Sequence, residues 1–382
     1  MVFNETQALE VLKQLISIKS VNDHEKQVAL YLQDLLNQHG IKSEIKTIRG
    51  NRANLIAEIG SGTPVLGVSG HMDVVDPGNL ADWQTDPFEM VEKDGTLFGR
   101  GITDMKSGLA ALVITLIELH DQGLPKKGTI RLMATMGEEV GEEGSSYFYQ
   151  DGDMKDVDGL VIAEPSGYNI GHAEKGSMDI KFTSIGKASH SSMPENGYNA
   201  IDPLMELLLE ANQIFRDDKI EGQAMGPLTF NTTLISGGTQ VNSIPESATA
   251  EVNVRTIPEY SNQKVIAKLN TMIEKLNQNG AKVSMDVYMN EVPVSMQADN
   301  QLVKLMTKLL KPYATDEIHI SPITAVTDAS NLVKDKPADF PFIISGPGNM
   351  TPHQVNENLD KAMYFNFIKV YQKLFIDFLN NN

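Results

Sequence analysis

Seven side chains in this sequence are of the types that hold divalent cations and move protons. They are His71 and Asp73 in "GHMD", Asp104 in "GITDMKSG", Glu138 and Glu139 in "MGEEVGEEG", Glu164 in "IAEPS" and His353 in "TPHQVNE". Cysteine is absent, so any metal site must be built from imidazole and carboxylate, a donor set that suits zinc and equally cobalt or manganese. Two adjacent divalent cations carry four positive charges. Asp104, Glu139 and Glu164 would offset three, with neutral His71 and His353 as further ligands and one hydroxide closing the balance. A carboxylate can give one oxygen to each cation across the ~3.5–4 Å of a two-metal site, which makes Asp104 the expected bridge. In "HMD" a spacing of two on extended chain puts both side chains on one face, so Asp73 can accept the second imidazole hydrogen bond of His71. Glu138 and Glu139 cannot share a face of a continuing strand. One can therefore enter the metal shell while the other faces a water and takes its proton. The second acidic pair, Glu142 and Glu143, reads as a solvated turn, and His120 as packing or surface.

These residues need elements to position them. Short apolar runs that end abruptly, "NLIAEIG", "PVLGVSGH", "TIRLMATMGEE", "GLVIAEP" and "FPFIISGPG", alternate with helical patterns at about 6–18 and 25–39 and with "DMKSGLAALVITLIELHDQG". Such runs are strands buried on both faces of an α/β sheet. His71, Glu138, Glu139, Glu164 and His353 follow their carboxyl ends, where open α/β sheets place their sites. Between 176 and 290 the rhythm changes to βαββαβ, a ferredoxin-like unit inserted into the first domain. The expected domains are thus 1–175 with 291–382, carrying a mixed, mostly parallel sheet, and 176–290.

Length and charge bound the rest. With 382 residues, two domains are the natural division. The 32 Lys and Arg against 50 Asp and Glu, a formal net charge of −18, would repel phosphate backbones and anionic lipid, so nucleic acid and membrane are not expected partners. No apolar run approaches the ~20 residues of a membrane span, and the start "MVFNETQALEVLKQL" has no signal-peptide pattern, so a cytoplasmic location is expected.

Taken together, "SGHMDVVDPG", "LFGRGITDMKSGLAA", "MGEEVGEEGS", "IAEPS" and "HQVNE" resemble, along the whole chain, the dinuclear-metal deacylase and exopeptidase family. That family includes succinyl-diaminopimelate desuccinylase, acetylornithine deacetylase, aminoacylase and carboxypeptidase G. The resemblance implies two zinc-type ions per subunit: His71 and Glu164 on one, Glu139 and His353 on the other, Asp104 bridging, Glu138 as general base and Asp73 orienting His71. It also implies that the inserted unit is a lid and the surface of a homodimer. In "ASHSSMPENGYNAI" it places His190 as the lid histidine that polarises the scissile carbonyl, in its own subunit's site or its partner's. Asn242 of "QVNSIPE", Arg255 of "VNVRTIPEY", Lys175 of "AEKGS" and backbone N–H groups of "SGPG" around Gly346 resemble the groups that hold the substrate's carboxylate. The expected reaction is removal of an N-acyl group from an amino acid, since Glu at position 164 resembles the deacylases and carboxypeptidases.

Length, pattern and lid motif resemble most the desuccinylase members acting on N-succinyl-LL-2,6-diaminopimelate in lysine biosynthesis, and then acetylornithine deacetylase. Where better-defined desuccinylases carry an "RRGS"-like stretch, this chain has "AEKGS", so acetylated amino acids, small peptides and metallo-carboxypeptidase or dipeptidase substrates stay open. A non-catalytic binding protein of the same fold would have lost a ligand or Glu138, and neither is lost. A carboxylate-only hydrolase would give the histidines no work.

Overall fold

A computed structural model describes residues 3–381, and the chain divides into two compact units. The first comprises the chain up to Ala173, Met296–Ser321 and the chain from Thr327 on. Seven of its strands stand side by side in the order Ser43–Arg49, Arg52–Ser61, Gly128–Thr135, Val65–His71, Gly159–Pro165, Phe342–Gly346 and Ile170–Glu174. The four from Gly128–Thr135 to Phe342–Gly346 are mutually parallel, and the outer pairings are antiparallel. All seven residues of Val65–His71 are buried, as the unbroken apolar run required. Because the central strands are parallel, their carboxyl ends open on one edge of the sheet. His71, the turn after Thr135, Glu164 and the loop after Gly346 therefore converge there.

Helix Lys106–Asp121 carries Asp104 to the same edge. It is buried from Lys106 to Leu119 and approaches Gly159–Pro165 so closely that a Cβ at Gly108 would overlap the Ala163 carbonyl oxygen. Glycine at 108 lets the backbones meet, and the loop before the helix then lies beside Glu164. Helices Glu5–Ser17 and Lys26–Gln38 pack into the same core with the C-terminal helix Lys361–Asn380. Among the described residues, no helix is long and apolar enough to cross a membrane.

The second unit runs over Glu174–Ser295 and takes in Pro322–Val326. Its four strands pair antiparallel in the order Thr229–Gly237, Ser247–Thr256, Gly176–Ile185 and Val283–Glu291, with helices Ile201–Asn212 and Asn262–Gln278 between them in the chain. This is the βαββαβ order. Alternation along Ser247–Thr256 turns one face onto a separate core of Met178, Ile180, Phe182, Leu204, Leu207 and Val252. The unit is wider than 176–290 because pairing persists to its ends: Glu291 still opposes Ser177, and the Lys175 N–H donates to Ile323 O at 3.4 Å.

Candidate metal centre and active site

The seven first-unit residues meet at the sheet edge in a connected cluster. Asp104 stands at its middle, with Oδ1 3.0 Å from His71 Nε2 and Oδ2 3.4 Å from His353 Nε2. Glu164 Oε1 lies 3.6 Å from the same His71 nitrogen, and Glu139 Oε2 lies 3.0 Å from the same His353 nitrogen. Two groups of potential ligands result, His71 with Asp104 and Glu164, and Asp104 with Glu139 and His353. They share only Asp104, through its two different oxygens. Glu138 falls in neither, and forms a third group with His71 and Glu139.

The electrostatics fit cations here. Burial pushes Glu138 well above the ordinary carboxylate range, against the pull of His71, with Glu164 and Glu139 adding to the rise. Burial likewise raises Glu164 well above its ordinary value and raises Glu139. Burial would raise Asp104 too, yet hydrogen bonds from His353 and His71 hold it below its usual range. His353 is pushed up to about 10 by its hydrogen bonds to Asp104 and Glu139. For His71, burial would lower the pKa, but Glu164, Asp104 and Asp73 outweigh it and raise it well above the ordinary value. Glu164 Oε1, buried, has no hydrogen-bond partner. A desolvated set of carboxylates with such an oxygen, all nitrogen and oxygen donors, fits divalent ions of the zinc, cobalt or manganese kind.

Asp73 does something different from the expected contact. The nearer acceptor for His71 Nδ1 is the Asp73 main-chain oxygen at 2.9 Å, while the carboxylate Oδ1 stands at 3.6 Å. A carbonyl only accepts, so Nδ1 carries a hydrogen, and it is Nε2 that would give its lone pair to a cation held together with Asp104 and Glu164. The Asp73 carboxylate instead accepts the Glu138 N–H at 3.2 Å on one oxygen and the Glu139 N–H at 3.1 Å on the other. It thus pins the turn that presents both glutamates. Asp73→Asn puts a donor where one of those N–H groups needs an acceptor, and should weaken metal binding or turnover about 10–100-fold, measured by chelator competition and kcat/KM.

Other neighbours escaped the sequence reading. Glu142 is fully buried, and its carboxylate accepts hydrogen bonds from Ser330 Oγ and from Asn331 Nδ2, so it is no surface residue. Glu143 pairs with Arg49 at 2.6 Å and with buried Arg52 at 3.2 Å. Arg52 underlies Gly137, whose φ is +68° and where a Cβ would overlap the guanidinium, so only glycine lets the turn before Glu138 settle on it. Asp328, buried, accepts from Thr135 Oγ1 at 2.5 Å and is raised to about 6 by burial. The one available signal was "TDAS", a polar stretch short of any apolar run, and it carries no recognisable spacing.

Gly346 is corrected. Its N–H donates to Ser166 Oγ at 3.2 Å, and a Cβ there would overlap the Ala163 carbonyl oxygen. Glycine at 346 serves close strand packing, and its N–H is not a free donor for a substrate carboxylate.

In the second unit, His190 and Ser243 face each other in a short antiparallel bridge, and the Ser191 N–H donates to Asn242 O at 3.0 Å, so His190 and Asn242 share one exposed loop pair. The Ser192 N–H donates to His190 Nδ1 at 3.2 Å. Since an N–H only donates, the neutral ring carries its hydrogen on Nε2. Lys175 donates to Pro227 O at 2.6 Å, and burial together with the neighbouring Arg255 cation lowers its pKa. Arg255 Nη1 is buried without a partner.

Fold and site together define an α/β metallohydrolase of the class that cleaves amide bonds. The sequence pattern of peptidase family M20/M25/M40 matches residues 67–377, and the chain belongs to that family. It is 40% identical to a Staphylococcus aureus (strain N315) protein named "Probable succinyl-diaminopimelate desuccinylase", over 99% of this chain and 98% of that one. Among solved structures, it resembles the M20 family metallo-carboxypeptidase Sso-CP2 from Sulfolobus solfataricus, with a TM-score of 0.80 at 19% identity over 97% of this chain and 98% of that one. It also resembles the Bacillus subtilis YXEP protein, described as a dinuclear metal binding peptidase, with a TM-score of 0.72 at 17% identity over 98% of each chain.

Proposed function

We propose that the chain is a two-metal amidohydrolase that removes an N-acyl group from an amino acid, with N-succinyl-LL-2,6-diaminopimelate as its first substrate. The observation that carries this reading is Asp104, whose two carboxylate oxygens face two different histidines, each with its own glutamate. His71 and Glu164 would hold one ion, Glu139 and His353 the other, with Asp104 between. Such ions, when bound, polarise the acyl oxygen and acidify a water. Glu138, outside both ligand groups, takes the water's proton and returns it to the leaving amine. His190 offers Nε2–H to the developing oxyanion, and Arg255, Lys175 and Asn242 receive the substrate's carboxylates. The name and full-length similarity of the S. aureus relative support the succinyl substrate. The lysine at 175 favours a second reading, a less acidic acyl group such as acetyl, or a small peptide, because one ammonium lacks the bidentate grip of a guanidinium.

We infer that the protein is a cytoplasmic homodimer through the second unit. Support comes from the sheet edge Thr229–Gly237, where Leu234 and Ile235 are 60% and 63% exposed, and from Leu209, 67% exposed on helix Ile201–Asn212 of the same unit. An apolar, unpaired edge is a surface that a second copy completes. His190→Ala should reduce kcat with metal content intact. Mixing those subunits with Glu138→Ala subunits should restore activity if His190 works in the partner's site, and no recovery places it in its own.

The substrate is tested by turnover on N-succinyl, N-acetyl and dipeptide compounds after reconstitution with zinc, cobalt or manganese. Highest kcat/KM on N-succinyl-diaminopimelate is expected. Preference for an acetylated amino acid or a dipeptide would overturn the succinyl assignment and keep the reaction class.

A further inference from the structure

We propose that Glu357 and Arg100 form a clamp that sets the separation of Asp104 from His353 and so governs the cation position shared by Asp104, Glu139 and His353. The proposal rests on the two-metal reading above. Glu357 lies four residues beyond His353 and is 1% exposed. One carboxylate oxygen accepts the Arg100 guanidinium and the Gly101 N–H, both at 2.8 Å, and the other accepts the Thr103 and Asp104 N–H groups at 2.8 and 2.9 Å. Its main-chain oxygen accepts the Gly99 N–H at 3.1 Å, and Thr103 Oγ1 donates to the next carbonyl, Asn358 O, at 2.6 Å. Four donors on one buried carboxylate thus wrap the loop 99–104 around residue 357.

The other jaw is Arg100, 2% exposed, with its guanidinium 5.2 Å from the Trp83 ring centre. Its Nη2 donates to the His353 main-chain oxygen at 3.4 Å and to Asp76 O at 3.5 Å. His353 has φ of +62°, a left-handed conformation that a histidine keeps only where its surroundings hold it. The clamp therefore grips the backbone of one ligand at Asp104 and of another at His353, more than 200 residues apart in sequence. Three of the four donors to the Glu357 carboxylate are backbone N–H groups of fixed position, so Asp104 has little freedom to seek a cation elsewhere.

The two cation positions do not depend on this device equally. His71 ends strand Val65–His71 and pairs Thr135 in the parallel ladder, and Glu164 lies in strand Gly159–Pro165, which pairs in parallel with Phe342–Gly346. His353 lies on a loop, exposed, with no strand to hold it. Loosening the clamp leaves two sheet-anchored ligands at one position and disturbs two of three at the other. Glu357 is accordingly a positioning residue, acting through Asp104 and His353.

The test is cobalt titration of the full-length chain, with chelator competition and the visible absorption of each bound equivalent. The wild-type chain should bind two equivalents. Glu357→Gln keeps the volume but loses the charge and one acceptor; it should keep the first equivalent and weaken the second about 10–100-fold, with a changed cobalt spectrum for that equivalent alone. Arg100→Lys, which cannot grip Glu357 and His353 O together, should weaken the same equivalent and serves should Glu357→Gln fail to fold. Asn300→Ala, which removes a helix cap away from these loops, should lower thermal stability and leave both cobalt affinities unchanged. A folded Glu357→Gln chain that binds both equivalents as tightly as wild type overturns the clamp, as does equal weakening of both. A wild-type chain that takes up fewer than two equivalents overturns the two-metal reading instead.

Discussion

Glu138→Gln should lower kcat by about 10²–10⁴-fold while the protein keeps its metal. Glutamine matches glutamate in volume and still presents its backbone N–H to Asp73, so the turn after Gly137 stays in place. What is lost is the basic oxygen. Glu138 stands outside the two groups joined by Asp104, so cation binding should be little changed. Its burial beside Glu164 and Glu139 raises its affinity for a proton, which suits a group that must accept one from water and then release it to an amine. KM should move much less than kcat, since Glu138 acts on the reacting atoms and not on the substrate's ends. Paired measurements of metal content and steady-state rate decide the matter. A fully active variant would remove Glu138 from the mechanism, and an inactive one that has lost metal would make it a ligand.

The second large effect is expected on metal removal. Chelation should abolish turnover and also lower the melting temperature, because the empty cluster buries Glu138, Glu139, Glu164 and Asp328 in a setting where burial disfavours their charged forms. An ion that binds only the folded chain at a thousand times its Kd stabilises by about 4 kcal/mol. In a protein of this size that corresponds to a fall of roughly 5 °C for each ion that leaves. Zinc, cobalt or manganese should restore both properties together. Activity that survives exhaustive chelation would point instead to an acid and base pair of carboxylates.

Much of this site was legible along the chain because its signals are local. A metal-type residue directly after an unbroken apolar run is visible without knowing the fold, and "VLGVSGH" and "GLVIAEP" place His71 and Glu164 in that way. Parallel pairing then puts such ends on one edge, so the gathering of ligands follows from strand type. The helical start at Lys106 similarly marked the loop that holds Asp104.

Other roles depended on segments far away in sequence. Glu142 and Glu143 read as a solvated turn, yet Ser330 and Asn331, about 190 residues on, close over Glu142, and Arg49 and Arg52 draw in Glu143. Asp73 was expected to serve His71 through its carboxylate. Folding of the turn at Gly137 brought the Glu138 and Glu139 N–H groups to that carboxylate first, and left the imidazole to the carbonyl. The Gly346 N–H went to Ser166 for the same kind of reason. By itself the sequence determined which residues of metal-ligating type stand at which strand ends, since residue type and hydrophobic pattern are properties of neighbouring positions. The tertiary structure alone decided which buried donor met which acceptor. A buried polar group must find a partner among whatever the fold brings within about 3 Å, and that choice belongs to the packed chain as a whole.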